Sequence, residues 1–226
     1  MTGYSRKRTG YDWSWYFKLI AIVDYGVGNL GSVENAFRFI GVNAVATSSP
    51  EKISAADAVV LPGVGAYAGA AISLEKAGLT EVIKDVIKKE KLFLGICLGM
   101  QLLFEYSEEG GQRAEGLGIF RGSIEQLPFG NDLKIPHMGW NSLNIKNKCP
   151  LFEGLPERPY VYFVHSYYLN NTCDRDIVAA TADYGIEFNA AVWSGNVFAT
   201  QFHPEKSGDV GLKILKNWTK LVYRAW

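Results

Sequence analysis

The chain has 226 residues, of which 48% are hydrophobic, and its 23 basic and 23 acidic side chains give a formal net charge of zero. This length and hydrophobic content suit one globular domain with a large core. The balanced charge argues against nucleic-acid binding as the main function. Because the three cysteines cannot all pair, we expect free thiols in the reducing cytoplasm rather than a disulfide framework. No apolar run approaches the roughly 20 residues that a membrane-spanning helix needs.

Residues 1–17 differ in composition and pattern from the rest of the chain. They combine three consecutive basic residues with Gly, Ser and aromatic residues, and they follow neither a helical nor a strand period. We interpret them as a disordered or artificially added leader, the alternative being an arm that binds a partner or nucleic acid. The folded domain is then expected to cover residues 18–226.

The first hundred residues alternate predicted strands with predicted helices. Strands are expected over residues 18–24, 43–49, 57–61 and 92–96. Apolar residues at helical spacing predict one helix after the first strand and another before the fourth, through Leu30, Val33, Phe37 and Ile40 and through Leu79, Val82, Ile83, Val86 and Ile87. This alternation predicts an open parallel sheet with helices on both faces.

Two glycine-rich loops follow strands in this half. Gly26, Gly28 and Gly31 have the spacing of a dinucleotide-binding turn, but no acidic residue ends the second strand, so nucleotide binding is not favoured. The loop P-G-V-G at residues 62–65 lies where ligands bind in open α/β sheets. Its N–H groups could point at an oxyanion, the alternative being an ordinary strand-to-helix turn.

Cys97 lies between the fourth strand and a helix predicted from Leu98 onward. Gly95 and Gly99 flank it at the spacing of a nucleophile elbow, in which small neighbours allow a tight turn. The amino end of the following helix would favour a thiolate. A buried core cysteine between two packing glycines is the alternative.

The second half consists mostly of short predicted strands. They predict antiparallel additions to the parallel sheet, and a final helix is expected over residues 209–222. The strands are expected over residues 122–127, 134–145, 160–169, 177–184, 190–193 and 197–202, with turn signals at residues 129–132 and 194–196.

His203 and Glu205 are two residues apart at the end of the last predicted strand, where strand alternation would place them on one face. A carboxylate beside an imidazole can fix its tautomer, so Cys97, His203 and Glu205 could form a triad for acyl transfer on an amide or ester. We interpret His137 and His165 as structural. Because no CxxC or HExxH spacing is present, neither a metal nor a cofactor is expected.

Several motifs together resemble the class I glutamine amidotransferases. The likeness to this class lies in residues 95–101 (G-I-C-L-G-M-Q) and 202–205 (F-H-P-E). Four further motifs are similar, more narrowly, to the glutaminase subunits of imidazole glycerol phosphate synthase, namely residues 24–29 (D-Y-G-V-G-N), 62–65 (P-G-V-G), 136–141 (P-H-M-G-W-N) and 162–167 (Y-F-V-H-S-Y). The resemblance runs from about residue 18 to the end of the chain.

The resemblance implies a flavodoxin-like, three-layer α/β fold and a reaction at Cys97. Cys97 would attack the side-chain amide of glutamine, release ammonia and leave a glutamyl thioester, with His203 as acid and base and Glu205 as its orienting partner. The implied roles of the remaining residues are an oxyanion hole from Leu98 and the loop Gly63, Val64 and Gly65, and binding of the α-amino and carboxylate end of glutamine by Gln101 and Glu109.

The resemblance also implies a partner. A chain of 226 residues is too short to hold a (β/α)8 barrel of about 250 residues as well, so the barrel-shaped cyclase is expected to be a separate subunit of a heterodimer. Ammonia would pass to it for the synthesis of imidazole glycerol phosphate and an aminoimidazole carboxamide ribotide. Met138, Trp140 and Lys206 are expected at the interface, and the glutaminase is expected to be weak until the partner binds its ligand.

Three other interpretations remain. The same glutaminase chemistry could feed a different acceptor, such as a surface-polysaccharide sugar. The chain could be a cysteine peptidase or a chaperone-like member of related α/β folds, or it could be a catalytically inactive binding subunit.

Overall fold

The computed structural model describes residues 18–128 and 133–224; the predictions for residues 1–17 and for the turn at residues 129–132 lie outside this part of the chain. Five parallel strands form one half of the main sheet in the order β2-β1-β3-β4-β14. They are β1 (Ile20–Val23), β2 (Ala44–Thr47), β3 (Ala58–Gly63), β4 (Leu92–Cys97) and β14 (Val197–Thr200). The predicted open parallel sheet is confirmed.

In the described part of the polypeptide, six α-helices follow these parallel strands in sequence: α1 (Leu30–Phe39), α2 (Pro50–Ala55), α3 (Tyr67–Lys76), α4 (Thr80–Lys88), α5 (Leu98–Gln101) and α6 (Gly208–Arg224). Residues of β1 alternate between two apolar layers, because neighbouring strand side chains point to opposite faces. One layer packs against α1 and α6, where the rings of Phe37 and Trp218 lie 6.0 Å apart. The other packs against α2, α3 and α4. The three-layer arrangement is therefore confirmed.

The second half extends the sheet with mostly antiparallel strands, as predicted. These are β5 (Tyr106–Ser107), β6 (Ala114–Glu115), β7 (Ser123–Gln126), β9 (Asn144–Ile145), β11 (Tyr167–Leu169), β12 (Val178–Asp183) and β13 (Glu187–Ser194). Among the described residues, β8 (His137–Ser142) and β10 (Tyr160–His165) pair only with each other, as a separate two-stranded ribbon.

Two of the predicted long strands are in fact divided. The strand expected over residues 134–145 is split into β8 and β9, and the one expected over residues 160–169 into β10 and β11. In each case the chain leaves the ribbon and joins the main sheet within one residue, at Leu143 and at Ser166. The alternation of side chains continues across both breaks, so the sequence pattern does not reveal them.

The elbow at Cys97 is confirmed. Cys97 has a φ of 53°, a left-handed conformation that non-glycine residues rarely adopt, and it is followed directly by α5. A Cβ added at Gly99 would overlap the carbonyl oxygen of Leu61, and one added at Gly95 would lie 2.8 Å from the carbonyl oxygen of Gly99. Glycine at both positions lets α5 lie directly against β3 and β4.

The helix predicted from Leu98 onward begins at that residue and is short. α5 ends at Gln101, and the next turns are closed by tighter bonds from Leu103 N to Met100 O and from Phe104 N to Gln101 O. A four-residue helix aligns few peptide dipoles, so the expected stabilisation of a Cys97 thiolate by a helix dipole is weak here. Other groups must stabilise the thiolate.

The close packing at the elbow generates a prediction. Replacing Gly99 by Ala is expected to lower the free energy of unfolding by about 3 kcal/mol, because the new methyl group would overlap backbone atoms that cannot move aside. Gly31→Ala in α1 is the matched control, since a Cβ there meets no atom within 4 Å and Ala favours helix by up to about 1 kcal/mol. Denaturant unfolding measures both changes, and equal stability of the two variants would contradict the elbow packing described here.

Candidate active site

A cavity of about 410 Å³ opens at the carboxyl ends of β3 and β4. It brings together most of the residues that the sequence singled out. Its walls consist of Val64, Gly65, Cys97, Leu98, Gln101, Glu109, Pro136, Val164, His165, Ser166, Tyr167, His203 and Lys206. A larger cavity of about 720 Å³ lies beside α3 and the β5–β6 hairpin, but it contains no member of the predicted triad. The smaller cavity is therefore the candidate active site.

Adjacent parallel strands bring Cys97 and His203 together. Thr200 of β14 pairs with Ile96 of β4; Cys97 is the last residue of β4, and His203 comes three residues after the end of β14. The backbone N–H of His203 donates to Tyr162 O at 3.0 Å, which ties the histidine to the β8–β10 ribbon. Cys97 is 7% exposed, so its thiol meets the cavity but little bulk solvent.

Glu205 contacts His203, but not through strand alternation. β14 ends at Thr200, and Glu205 lies in a short 3₁₀ helix, Pro204–Lys206, that folds its carboxylate back onto the histidine. His203 Nδ1 donates to Glu205 Oε1 at 2.8 Å, and the two side chains are only 3% and 1% exposed. The prediction of the contact is correct, and its reason is corrected.

The surroundings of His203 favour its charged form. Burial by itself lowers the pKa of His203, but its interactions with the side chains of Cys97 and Glu205 outweigh burial and raise the pKa well above its usual value. His203 Nε2 is buried and makes no hydrogen bond of ordinary geometry with the described residues. This atom is therefore available to exchange a proton with a reacting group.

The loop at residues 63–65 and Leu98 offer backbone donors. Gly63 pairs with Cys97 across β3 and β4, and Tyr25 Oη donates to Pro62 O at 2.9 Å, which anchors the base of the loop. Within residues 18–128 and 133–224, no acceptor bonds the N–H groups of Val64 or Gly65. These unpaired donors beside the thiol suit the binding of a developing oxyanion.

Gln101 and Glu109 both present acceptors to the cavity. Gln101 Nε2 donates to Tyr167 O at 2.9 Å and to Gln201 Oε1 at 3.0 Å, which uses both of its hydrogens and leaves Oε1 to accept. Glu109 Oε2 accepts the N–H of Tyr67, at the start of α3, at 2.6 Å. Acceptors suit the α-ammonium group of an amino acid, whereas neither side chain supplies a donor for its α-carboxylate.

His137 and His165, assigned to the structural class from the sequence, form a buried pair beside the cavity. They face each other across β8 and β10, with Nδ1 of His137 3.0 Å from Nε2 of His165, and His165 lines the cavity. Burial lowers the pKa of His137 to about 4 and that of His165 to about 3, so both are neutral near pH 7. No sequence signal marks this pair, because its partners are 28 residues apart and meet only through strand register.

The described residues contain neither a cluster of metal ligands nor a membrane-spanning helix. No group of three or more His, Cys, Asp or Glu side chains there has the geometry to hold a metal ion. In the same residues, no helix has both the length and the apolar character to cross a membrane.

Comparisons with known proteins agree with this fold. The family model described as glutamine amidotransferase class-I matches residues 21–221. Two solved structures share the fold at low identity: PurLQS from Thermotoga maritima (TM-score 0.71, 19% identity, 91% of this chain and 99% of that chain) and a structure described as a glutamine amidotransferase (TM-score 0.69, 18% identity, 90% and 98%). The fold is that of this class of enzyme.

Similar proteins with assigned names identify one family within this class. The imidazole glycerol phosphate synthase subunit HisH of Caldanaerobacter subterraneus subsp. tengcongensis is 53% identical over 204 residues, 90% of this chain and 98% of that protein. HisH proteins of Dehalococcoides mccartyi (50%, covering 90% and 97%) and Bacillus cereus (49%, covering 92% and 97%) are similarly close. The chain therefore belongs to the HisH family of imidazole glycerol phosphate synthase subunits, within the class I glutamine amidotransferases. The family resemblance seen in the sequence is confirmed.

Proposed function

We propose that this chain hydrolyses glutamine to glutamate and ammonia at Cys97, and that the ammonia passes to a cyclase subunit in histidine biosynthesis. Membership of the HisH family supports the reaction and its pathway. The observation that carries the assignment of residues is that Cys97 and His203 line the same cavity and that Glu205 is bonded to Nδ1 of His203. The names of the relatives favour this acceptor over a polysaccharide sugar, and family membership disfavours the peptidase and the inactive binding subunit.

The first half-reaction is acyl transfer to the thiol. A Cys97 thiolate beside a protonated His203 attacks the side-chain carbonyl carbon of glutamine, forming the C–S bond. As the tetrahedral adduct collapses, the C–N bond breaks and His203 Nε2 gives its proton to the leaving ammonia. Glu205 accepts from Nδ1 throughout, so it holds the ring in place and stabilises its positive charge.

Hydrolysis of the thioester completes the cycle. Neutral His203 takes a proton from water, the resulting hydroxide attacks the thioester carbon, and the C–S bond breaks to release glutamate and the thiolate. In both half-reactions we propose that Leu98 N–H and one N–H of Gly63, Val64 or Gly65 hold the oxyanion. The unpaired N–H groups of Val64 and Gly65 support the part of the loop in this assignment.

We propose that Gln101 Oε1 and Glu109 bind the α-ammonium group of glutamine. Gln101 Oε1 can only accept, because both hydrogens of its amide are already donated. Glu109 contributes a carboxylate on the opposite element, the 3₁₀ helix Glu109–Gly111, and its contact with Tyr67 N fixes its position. The α-ammonium group then lies between the neutral Oε1 of Gln101 and the charged carboxylate of Glu109. This arrangement excludes substrates that lack an α-ammonium group.

We propose that the β8–β10 ribbon binds a (β/α)8-barrel cyclase in a heterodimer. Met138 and Trp140 are 62% and 56% exposed on this ribbon, an unusual exposure for large apolar side chains. Lys206 lines the cavity and follows Glu205 directly, so the same face joins the interface to the active site. Binding of the liganded partner would then move the loop at residues 63–65 into its active arrangement. The glutaminase is therefore weak until that partner is present.

Three further features complete the proposal. Residues 18–226 form the amidotransferase domain and residues 1–17 precede it, which the family match over residues 21–221 supports. The protein acts in the cytoplasm, in keeping with three free cysteines. The reaction needs no metal or cofactor, and no step of it involves nucleic acid or a membrane, because a thiol, an imidazole and backbone donors supply the chemistry.

Glutamate release tests the proposed function. We expect slow release from glutamine by the chain alone and an increase of at least about tenfold with the cyclase subunit and its ribonucleotide ligand. Cys97→Ala should abolish release, a loss of about 10³-fold or more for a missing nucleophile. Cys149→Ala, which removes another buried thiol outside the cavity, is the matched control and should retain activity. Full release by Cys97→Ala would refute the proposed nucleophile, and activation only by a different synthase would refute the proposed acceptor.

The interface can be tested separately by measuring the affinity for the cyclase. Trp140→Ala should weaken the complex by about tenfold or more, because exposed aromatic residues commonly dominate binding. Phe39→Ala is the matched control, since Phe39 is 76% exposed at the far end of α1, away from the ribbon. Equal affinities of the two variants, measured by titration calorimetry, would place the interface elsewhere.

A further inference from the structure

Gln201 contacts the nucleophile directly. Its side chain is fully buried between β14 and His203, and its Nε2 donates to Cys97 Sγ at 3.7 Å. Its Oε1 accepts from Gln101 Nε2 at 3.0 Å. The reaction proposed above gives Gln201 no role.

The orientation of the Gln201 amide follows from its neighbours. Gln101 contacts the carbonyl oxygen of Tyr167, which can only accept, so the contacting atom of Gln101 must be its nitrogen. The same nitrogen faces Gln201, so the atom of Gln201 at this contact must be its oxygen. The nitrogen of Gln201 therefore points at Cys97.

A chain of directed hydrogen bonds extends this constraint. Tyr167 O also accepts from His165 Nδ1 at 2.9 Å, which makes Nε2 of neutral His165 an acceptor for His137 Nδ1 at 3.0 Å. His137 Nε2 is then the acceptor for the amide of Asn141, at 3.4 Å. Every donor meets an acceptor, so reversing one group would break its neighbours' bonds.

Few other groups can donate to the sulfur. Tyr25 and His203 are the titratable groups that interact with Cys97, and Glu205 and Glu109 are the nearby carboxylates, one behind His203 and one across the cavity. The Tyr25 hydroxyl donates to Pro62 O, and His203 Nε2 is the atom that must move a proton during the reaction. Among the described residues, Gln201 Nε2 is the one donor that reaches Cys97 Sγ with hydrogen-bond geometry, at 3.7 Å.

We propose that Gln201 is a further catalytic residue, which stabilises the Cys97 thiolate through its amide N–H. In the same proposal His165 is a positioning residue, because its hydrogen bonds fix the orientation of the Gln101 and Gln201 amides. The inference rests on the proposed function, since it takes Cys97 as the nucleophile. An amide N–H stabilises a thiolate because it donates to the charged form more strongly than to the thiol. The donor thus supplies the stabilisation that the short α5 provides only weakly.

Gln201→Glu and Gln201→Met test the donor. Glu keeps the shape but replaces the N–H with a carboxylate oxygen, and Met keeps the approximate length with neither donor nor charge. Each should lower kcat for glutamine by at least about tenfold with little change in KM. Alkylation of Cys97 by iodoacetamide at pH 7 should slow, and the midpoint of its rate-versus-pH curve should move to higher pH. Gln112→Met, at an exposed glutamine, is the matched control and should change neither.

A second pair of variants tests His165. Asn places an amide nitrogen near the position of Nδ1 and can still donate to Tyr167 O, whereas Gln places its nitrogen near Nε2 and loses that donor. We expect His165→Asn to keep kcat and the alkylation rate within about threefold and His165→Gln to lower both by at least about tenfold. A merely structural role would give equal losses in both variants.

These measurements separate the inference from the proposed function. If both Gln201 variants fold and retain normal kcat and alkylation while Cys97→Ala is inactive, the role of Gln201 is refuted and the nucleophile stands. If Cys97→Ala remains active, the proposed function itself fails. Equal kcat in His165→Asn and His165→Gln would refute the positioning role.

Discussion

The backbone turn at Cys97 is the constraint on which the rest of the site depends. A left-handed residue between β4 and α5 is held in place only because Gly95 and Gly99 leave room for backbone to touch backbone. This turn lifts the thiol out of the sheet at the carboxyl ends of the strands. The neighbouring end of β14 then brings His203 to the same place, so two parallel strands assemble the reactive pair.

Three histidines near the cavity have opposite protonation preferences, and their partners explain why. His203 bonds to a buried carboxylate, which favours the imidazolium despite burial. His137 and His165 bond to each other, to an amide and to a carbonyl oxygen, and burial keeps them neutral. One charged ring can therefore move protons at the reacting atoms while the two neutral rings fix the direction of hydrogen bonds around them.

Much of this could be predicted from the sequence, and the failures have physical reasons. The alternating strands and helices and the elbow at Cys97 follow from local patterns, and they are confirmed, whereas the contact of His203 with Glu205 arises from a 3₁₀ helix and not from strand alternation. The end of α5 could not be predicted, because Leu103 and Phe104 are compatible with a helix but close tighter turns. Short-range periodicity says nothing about which strands pair, so it could not show that His137 meets His165 or that Gln201 reaches Cys97.

The most direct test of the central claim is detection of the covalent intermediate. The complex with its liganded cyclase would be quenched in acid during turnover of glutamine, and its peptides analysed by mass spectrometry. The account predicts the added mass of one glutamyl group on the peptide that contains Cys97, with none on those that contain Cys149 or Cys173. A glutamyl group on either of the other cysteines, or turnover by Cys97→Ala, would contradict it.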